Sequence, residues 1–252
     1  MLNNIVGLLS GGVPPFSPSS ISGLKLWLDA DDSATITLNG SNVSQWNDKS
    51  ANAFNFTQST ATNQPARTLS GQNGKTVLTF LTNDFMRNTA INWGASASTL
   101  FIVGKEDNAS RTDYTCLFTT GTGATGQWAY GIALKPPGDN NRLAIFSIGQ
   151  NLTRFTNQMT GSNADILCFT SNGISSGNVT ANLFLNAAAD ASNPLTYSLG
   201  TSSAAGAQLC ANGAGGETYS GTICEVIMYD TVLSSANRIL VQDYLKTKWA
   251  TV

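Results

Sequence analysis

What most limits the fold of this chain is a two-residue alternation of apolar and polar side chains, repeated in short runs that glycine and asparagine cut off. In LKLWLDA (24–30), Leu24, Leu26 and Leu28 alternate with Lys25 and Trp27. Successive side chains of a strand point to opposite faces, so this period marks a half-buried strand. KTVLTFL (75–81), STLFIVGKE (98–106), TCLFTT (115–120), QWAYGIAL (127–134), NRLAIFSIG (141–149), DILCFTSN (165–172), VTANLFLN (179–186) and GTICEVIMYD (221–230) read likewise. Between them lie turn formers such as GTGATG, PPGDNN, SNGISSGN and NGAGG. Many short strands with almost no helix predict a sandwich or jelly roll, and 252 residues suffice for one large example.

One segment breaks the pattern. LSSANRILVQDYLKTKWA predicts a C-terminal helix over 235–249, with Ser234 or Ser235 as its cap. Ile239, Leu240, Tyr244, Leu245 and Trp249 are spaced as an apolar stripe, which predicts docking on the sandwich. At the other end, residues 1–20 read as an extended arm: Ile5, Val6, Leu8 and Leu9 lead into GGVPPFSPSS, where Gly and Pro block regular structure around Phe16. Residues 21–252 read as one domain. The stretch 187–218, rich in Ala, Gly, Ser and Asn, reads as a long loop.

Composition narrows the chemistry. Histidine is absent, which removes the Ser-His-Asp triad, the Cys-His dyad and His-ligated zinc. Charged residues are 11%, so Asn, Gln, Ser, Thr and Gly must cover the surface, and such a surface suits sugars or protein packing. The 13 basic residues are scattered, which sets nucleic acid aside. No apolar run is long enough to cross a membrane, and MLNNIVGLLSGG lacks the basic start and apolar length of a secretory signal. Cys116, Cys168, Cys210 and Cys224 are widely spaced, three of them in apolar runs; they read as buried core thiols or, alternatively, as one or two disulfides.

Two stretches carry a family resemblance. Residues 21–66 contain a W-L-D-A strand, a V-S-x-W-x-D-x-S turn and a Q-P segment, followed by NGKTVLTFLTNDFM (73–86); residues 221–249 hold GTICEVIMYDTVLSSANRILVQDYLKTKW. These ends resemble the opening and the closing strand and helix of concanavalin A-like (laminin G-like) domains of tailed-phage virion proteins and bacterial surface proteins. The resemblance implies an all-β jelly-roll sandwich of two antiparallel sheets with one C-terminal helix. Where the family has FDGSDD, this chain has FLTNDF, so only Asp84 remains of a calcium-binding turn.

Some concanavalin A-like folds are glycoside hydrolases, which need two carboxylates about 5–10 Å apart. The resemblance would imply an E-x-D-x-x-E-like run, and none exists: the glutamates are Glu106, Glu217 and Glu225. Asp29, Asp31 and Asp32, and Asp107 with Asp113, admit calcium or backbone capping. Trp27, Trp46 and Trp249 read as core. Trp93 and Trp128, flanked by glycine, and Tyr130 read as candidates for sugar stacking, with core packing as the alternative.

The expectation is therefore a non-enzymatic virion structural protein on the surface of a tailed phage, a capsid decoration or fibre subunit assembled in the host cytoplasm. The arm residues Ile5, Val6, Leu8, Leu9 and Phe16 would tether it to other capsid or tail subunits. A homo-oligomer, by analogy a trimer, is expected, with no cofactor other than calcium as an option. The alternative is a carbohydrate-binding module using Trp93, Trp128 and Tyr130.

Overall fold

The computed structural model describes residues 15–91, 93, 96–107, 114–120, 130–134, 142–147, 153–159, 161–173, 178–198 and 206–251. Among these, eighteen strands and one α-helix form a two-layered all-β sandwich. In chain order the strands are β1 (Leu24–Asp29), β2 (Ile36–Asn39), β3 (Asn42–Trp46), β4 (Phe56–Thr57), β5 (Ala66–Gln72), β6 (Lys75–Phe80), β7 (Met86–Asn88), β8 (Ser98–Glu106), β9 (Thr115–Thr120), β10 (Tyr130–Leu134), β11 (Arg142–Ser147), β12 (Thr153–Gln158), β13 (Asp165–Ser171), β14 (Asn178–Leu185), β15 (Ala188–Ala189), β16 (Leu195–Ser198), β17 (Ala207–Leu209) and β18 (Gly221–Tyr229). The helix α1 spans Ser235–Trp249.

Layer one is organised around β18. One edge of β18 pairs with β8 from Gly221↔Glu106 to Tyr229↔Thr99. Its other edge is shared: β6 takes the first part (Gly221↔Phe80) and β1 the rest (Asp29↔Glu225 to Leu24↔Tyr229). The sheet continues from β8 through β13 and β14 to β16. Layer two runs β2–β3–β4–β7–β17–β9–β10–β11–β12. All these ladders are antiparallel, and the pair Asn42↔Ala66 joins the layers at one corner.

Leu26, Ile102 and Met228 of layer one meet Phe56, Phe118 and Ile145 of layer two in the main core. A second core lies on the back of layer one, where Phe101, Val103 and Ile227 pack beneath Val241, Leu245 and Trp249 of α1. β8 and β18 are thus covered on both faces, which is why their sequences read as near-continuous apolar runs.

Ser234 caps α1, its Oγ accepting the Asn237 amide at 3.2 Å, and Ala250 ends it in the left-handed region. The helix rotation differs from the stripe expected. Val241, Leu245 and Trp249, at i, i+4 and i+8, face inward with Gln242, whereas Ile239 and Leu240 stay 46% and 48% exposed. The reason is polar: this rotation brings Tyr244, Lys248 and Trp249 onto one buried carboxylate of β18.

Three further expectations meet the structure here. The described part of 187–218 carries β15, β16 and β17 rather than a featureless loop. All four cysteines are free and buried, so the core reading replaces the disulfide alternative, and burial pushes each thiol above its ordinary range. Of the arm, Ile5, Val6, Leu8 and Leu9 lie outside the described residues. Phe16 packs 5.9 Å from the Tyr244 ring, and the Pro18 carbonyl accepts the Tyr229 hydroxyl at 2.9 Å, so residues 16–18 are tied to α1 and to β18 of layer one.

Candidate functional site

The aromatic candidates divide. Trp93 is corrected from an exposed platform to a core residue: it is 3% exposed, edge-on to Phe118 at 5.2 Å and Phe169 at 5.9 Å, with its indole N–H on Ser98 Oγ at 3.1 Å. A sugar stacks on an accessible ring face, which Trp93 does not offer. The signal for burial was local, since Ile91 and Trp93 alternate like a strand and both enter the core. Trp128 lies outside the described residues. Tyr130 opens β10, paired with Thr120 and Ser147, and its side chain is likewise outside them.

The acidic residues of the two family-like ends converge on the back of layer one. Glu225, on β18, has a fully buried side chain. Its Oε1 accepts Trp27 Nε1 at 2.7 Å and the Tyr244 hydroxyl at 2.9 Å; its Oε2 accepts Trp249 Nε1 at 2.7 Å and Lys248 Nζ at 2.9 Å. Lys248 also reaches Asp29 Oδ1 at 2.7 Å, and Lys49 bridges Asp29 at 2.9 Å and Asp32 at 2.7 Å. Asp48 closes the V-S-x-W-x-D-x-S turn by accepting the amides of Trp27, Ser50 and Phe54. The quoted family segments thus build one polar knot between β1, β18, α1 and the turn after β3.

This knot is not shaped for glycoside hydrolysis. Asp29 and Glu225 share the Lys248 ammonium, and their side chains are only 7% and 0% exposed. A tyrosine nucleophile, which some glycosidases use in place of a carboxylate, fares no better. Tyr244 does bond Glu225, but burial and the Glu225 and Asp29 charges push its hydroxyl above the ordinary phenol range, whereas a nucleophile needs the opposite shift.

The remaining acids act as loop clamps. Asp31 accepts the Thr76 amide at 3.0 Å and pairs with Lys75 at 3.0 Å. Asp190 accepts the amides of Thr156, Asn157 and Ser192. Asp84 accepts the Leu81 amide, and burial raises its carboxyl. Among the described residues no group of three acidic or thiol side chains is placed to hold a metal. The calcium candidates Asp29, Asp31 and Asp32 instead face lysine ammonium groups; Asp113 lies outside the described residues.

Layer two offers a different surface. Where β2, β3 and β4 end the sheet, an open groove of about 420 Å³ is lined by Thr37, Asn39, Ser44, Gln45, Thr57, Gln58, Ser59 and Gln64. Every lining residue carries a hydroxyl or a primary amide and none is ionisable. The back is held rigidly. Buried Gln58 donates to the Phe85 carbonyl at 3.0 Å and accepts the Thr60 amide at 3.0 Å. Buried Gln64 donates to the Gln58 carbonyl at 2.7 Å and accepts from Asn39 Nδ2 at 3.0 Å. The front is accessible: Thr37, Asn39, Thr57 and Ser59 are exposed, and Ser44 and Gln45 are half-buried. Arg87, across the ladder from Thr57, is stacked 4.8 Å over the Phe85 ring. Sequence reasoning missed this groove because isolated Thr, Asn, Ser and Gln occur throughout the chain.

No family model matches the chain, and no curated protein matches it. Solved structures do. A Trypanosoma rangeli sialidase in complex with sialic acid is similar at a TM-score of 0.63 and 14% identity, over 90% of this chain and 33% of that one. The same enzyme in complex with 2,3-difluoro-KDN gives 0.62 and 14%, over 94% and 36%. An α-L-arabinofuranosidase of glycoside hydrolase family 54, soaked with a cyclic sulfate inhibitor, gives 0.55 and 15%, over 82% and 51%. The chain spans about a third of the sialidase and half of the arabinofuranosidase. At these identities the likeness establishes a shared all-β fold. It also corrects the expected function: these structures are glycosidases rather than virion proteins, so the reading as a phage capsid or fibre subunit is withdrawn, and the sugar-binding alternative is the better supported.

Proposed function

We propose that this chain is a carbohydrate-binding module whose ligand site is the groove of β2, β3 and β4. The observation that carries the reading is the lining itself: eight hydroxyl and amide side chains, none charged, with the rear pair Gln58 and Gln64 fixed by main-chain bonds. Sugar hydroxyls both donate and accept, so they match groups that do both. A rear wall that does not reorganise spares the ordering cost of binding. The fold shared with sugar-acting enzymes supports the same reading.

The neutral lining suits uncharged oligosaccharides. Arg87, turned onto Phe85, is the side chain through which an acidic sugar would instead be recognised. Trp128 and Tyr130 are the aromatic candidates left for a second contact with a longer ligand. The test is an array of neutral and sialylated oligosaccharides, followed by titration calorimetry. Binding to neutral sugars, at least tenfold weaker in Gln45→Ala and Thr57→Ala and insensitive to salt, is the expected result. Absence of any ligand, or affinity untouched by both variants, sinks the proposal. Binding restricted to sialylated sugars and lost in Arg87→Ala moves the site from the neutral groove to its arginine edge.

A further inference from the structure

The knot on the back of layer one has a geometry that an ordinary ion pair does not require. Lys248 Nζ stands 2.7 Å from Asp29 Oδ1 and 2.9 Å from Glu225 Oε2, while Lys49 Nζ holds the other Asp29 oxygen at 2.9 Å. The side chains of Glu225, Asp29 and Lys248 are only 0%, 7% and 15% exposed. Two indoles, those of Trp27 and Trp249, wall the same space through their bonds to Glu225. An amine, a carboxyl carbon and a proton acceptor are thus fixed together away from bulk water.

We infer that Lys248 and Asp29 condense in the folded protein into an intramolecular isopeptide bond, with Glu225 as the proton acceptor and Lys49 as the stabiliser of the carboxyl oxygen. The Lys248 ammonium passes one proton to Glu225 Oε2. The freed amine attacks Asp29 Cγ, forming the C–N bond, and Lys49 stabilises the negative charge on the tetrahedral adduct. The C–O bond to one oxygen then breaks. That oxygen leaves as water, carrying the proton returned by Glu225 and a second proton from the lysine nitrogen. One ammonium and one carboxylate become one amide and one water, with Glu225 restored and no change of oxidation state.

Two physical effects favour the step here. Ammonium and carboxylate resist condensation in water because both ions are well solvated, and burial removes that solvation. Holding reactants together lowers the barrier, and well-oriented intramolecular reactions reach effective molarities of about 10⁵–10⁸ M. Burial and the Asp29 charge also raise the Glu225 carboxyl above the ordinary range, against the opposing pull of Lys248 and Trp249, which makes it a readier proton acceptor. The chain carries its own controls: Lys75–Asp31 at 3.0 Å and Lys105–Asp107 at 3.4 Å are similar pairs, but both are more exposed.

Mass spectrometry of the purified full chain, folded and then denatured, tests this directly. The expected mass is one water below that of the sequence. A tryptic map should contain one branched peptide joining the Asp29 segment to the Lys248 segment, with cleavage after Lys248 blocked. Lys248→Arg and Glu225→Gln should each restore the full mass while circular dichroism keeps its β signature; Lys75→Arg should leave the loss in place. A folded wild-type chain at full mass overturns the inference. So does a branch at Lys49, or a water loss mapped to a cyclic imide at a single aspartate. Should both variants fail to fold, the wild-type mass and map still decide the matter.

Discussion

The knot behind layer one and the groove at the end of layer two are both polar, yet opposite in character. The knot is ionic and closed: all four hydrogen-bonding directions of Glu225 are taken by two indoles, a phenol and an ammonium. The groove is neutral and open, with its rear amides bonded internally and Thr37, Asn39, Thr57 and Ser59 exposed at its front. Buried charge is tolerated only when fully paired, and pairing leaves it nothing to offer a ligand. On the proposed reading, recognition falls to side chains that are inexpensive to expose: the residues that stand out by charge and aromaticity hold the fold, and plain ones line the groove.

Breaking the knot should have the largest effect. Glu225→Ala leaves two indole N–H groups and a phenol without their acceptor and Lys248 with Asp29 alone, and should cost about 3–5 kcal/mol in a urea titration. A loss below about 1 kcal/mol would mean that the knot is not a closed unit. Asp48→Ala strips the acceptor from the amides of Trp27, Ser50 and Phe54 and should cost about 2–3 kcal/mol by the same measurement. Ser234→Ala, which removes the helix cap, should cost about 1 kcal/mol. Thr57→Ala and Gln45→Ala should stay within about 0.5 kcal/mol of wild type while weakening sugar binding, which separates the two regions in one experiment.

Acid sharpens the same contrast. Lys49 lowers the Asp32 carboxyl; at Asp31 burial is outweighed by the Thr76 amide and Lys75, and at Asp190 by the amides of Ser192, Thr156 and Asn157. A carboxyl with a depressed folded pKa contributes stability above its unfolded value, here 3.8, and loses it as pH falls through the folded one. The contribution of these three carboxylates to thermal stability should therefore be lost as pH falls below about 4. Sugar affinity should stay flat across the range in which the chain remains folded, because no lining group of the groove titrates.

The sequence made the knot's members visible without showing their job. W-L-D-A, the W-x-D-x-S turn and the closing YLKTKW were readable as a fold signature, and the structure shows why: Trp27, Asp29, Asp48, Glu225, Tyr244 and Trp249 fasten to one another. Many strands followed from short runs read as two-residue alternation, but β8 and β18, read the same way, are covered on both faces. The face of α1 was misread because hydrophobicity alone favoured Ile239 and Leu240, while the buried carboxylate it must reach lies on a distant strand. Trp93 was misread because glycine neighbours suggested a loop, although the ring fills the space between layers. The groove was invisible because its lining comes from four short stretches, at 37–39, 44–45, 57–59 and 64, that only the fold brings together.

The division of β18 between β6 and β1 has a consequence for how the chain is made. Trp27 and Glu225, bonded at 2.7 Å, are separated by 198 positions, so the first strand emerges from the ribosome long before its partner exists. Until β18 appears, layer one lacks its middle, and the apolar edges of β1, β6 and β8 all wait for the same late strand. Such a sheet closes only once β18 has been made, slowly and with its unpaired edges open to other nascent copies. Expression at low temperature or with chaperones in excess is where the yield of this chain will be decided.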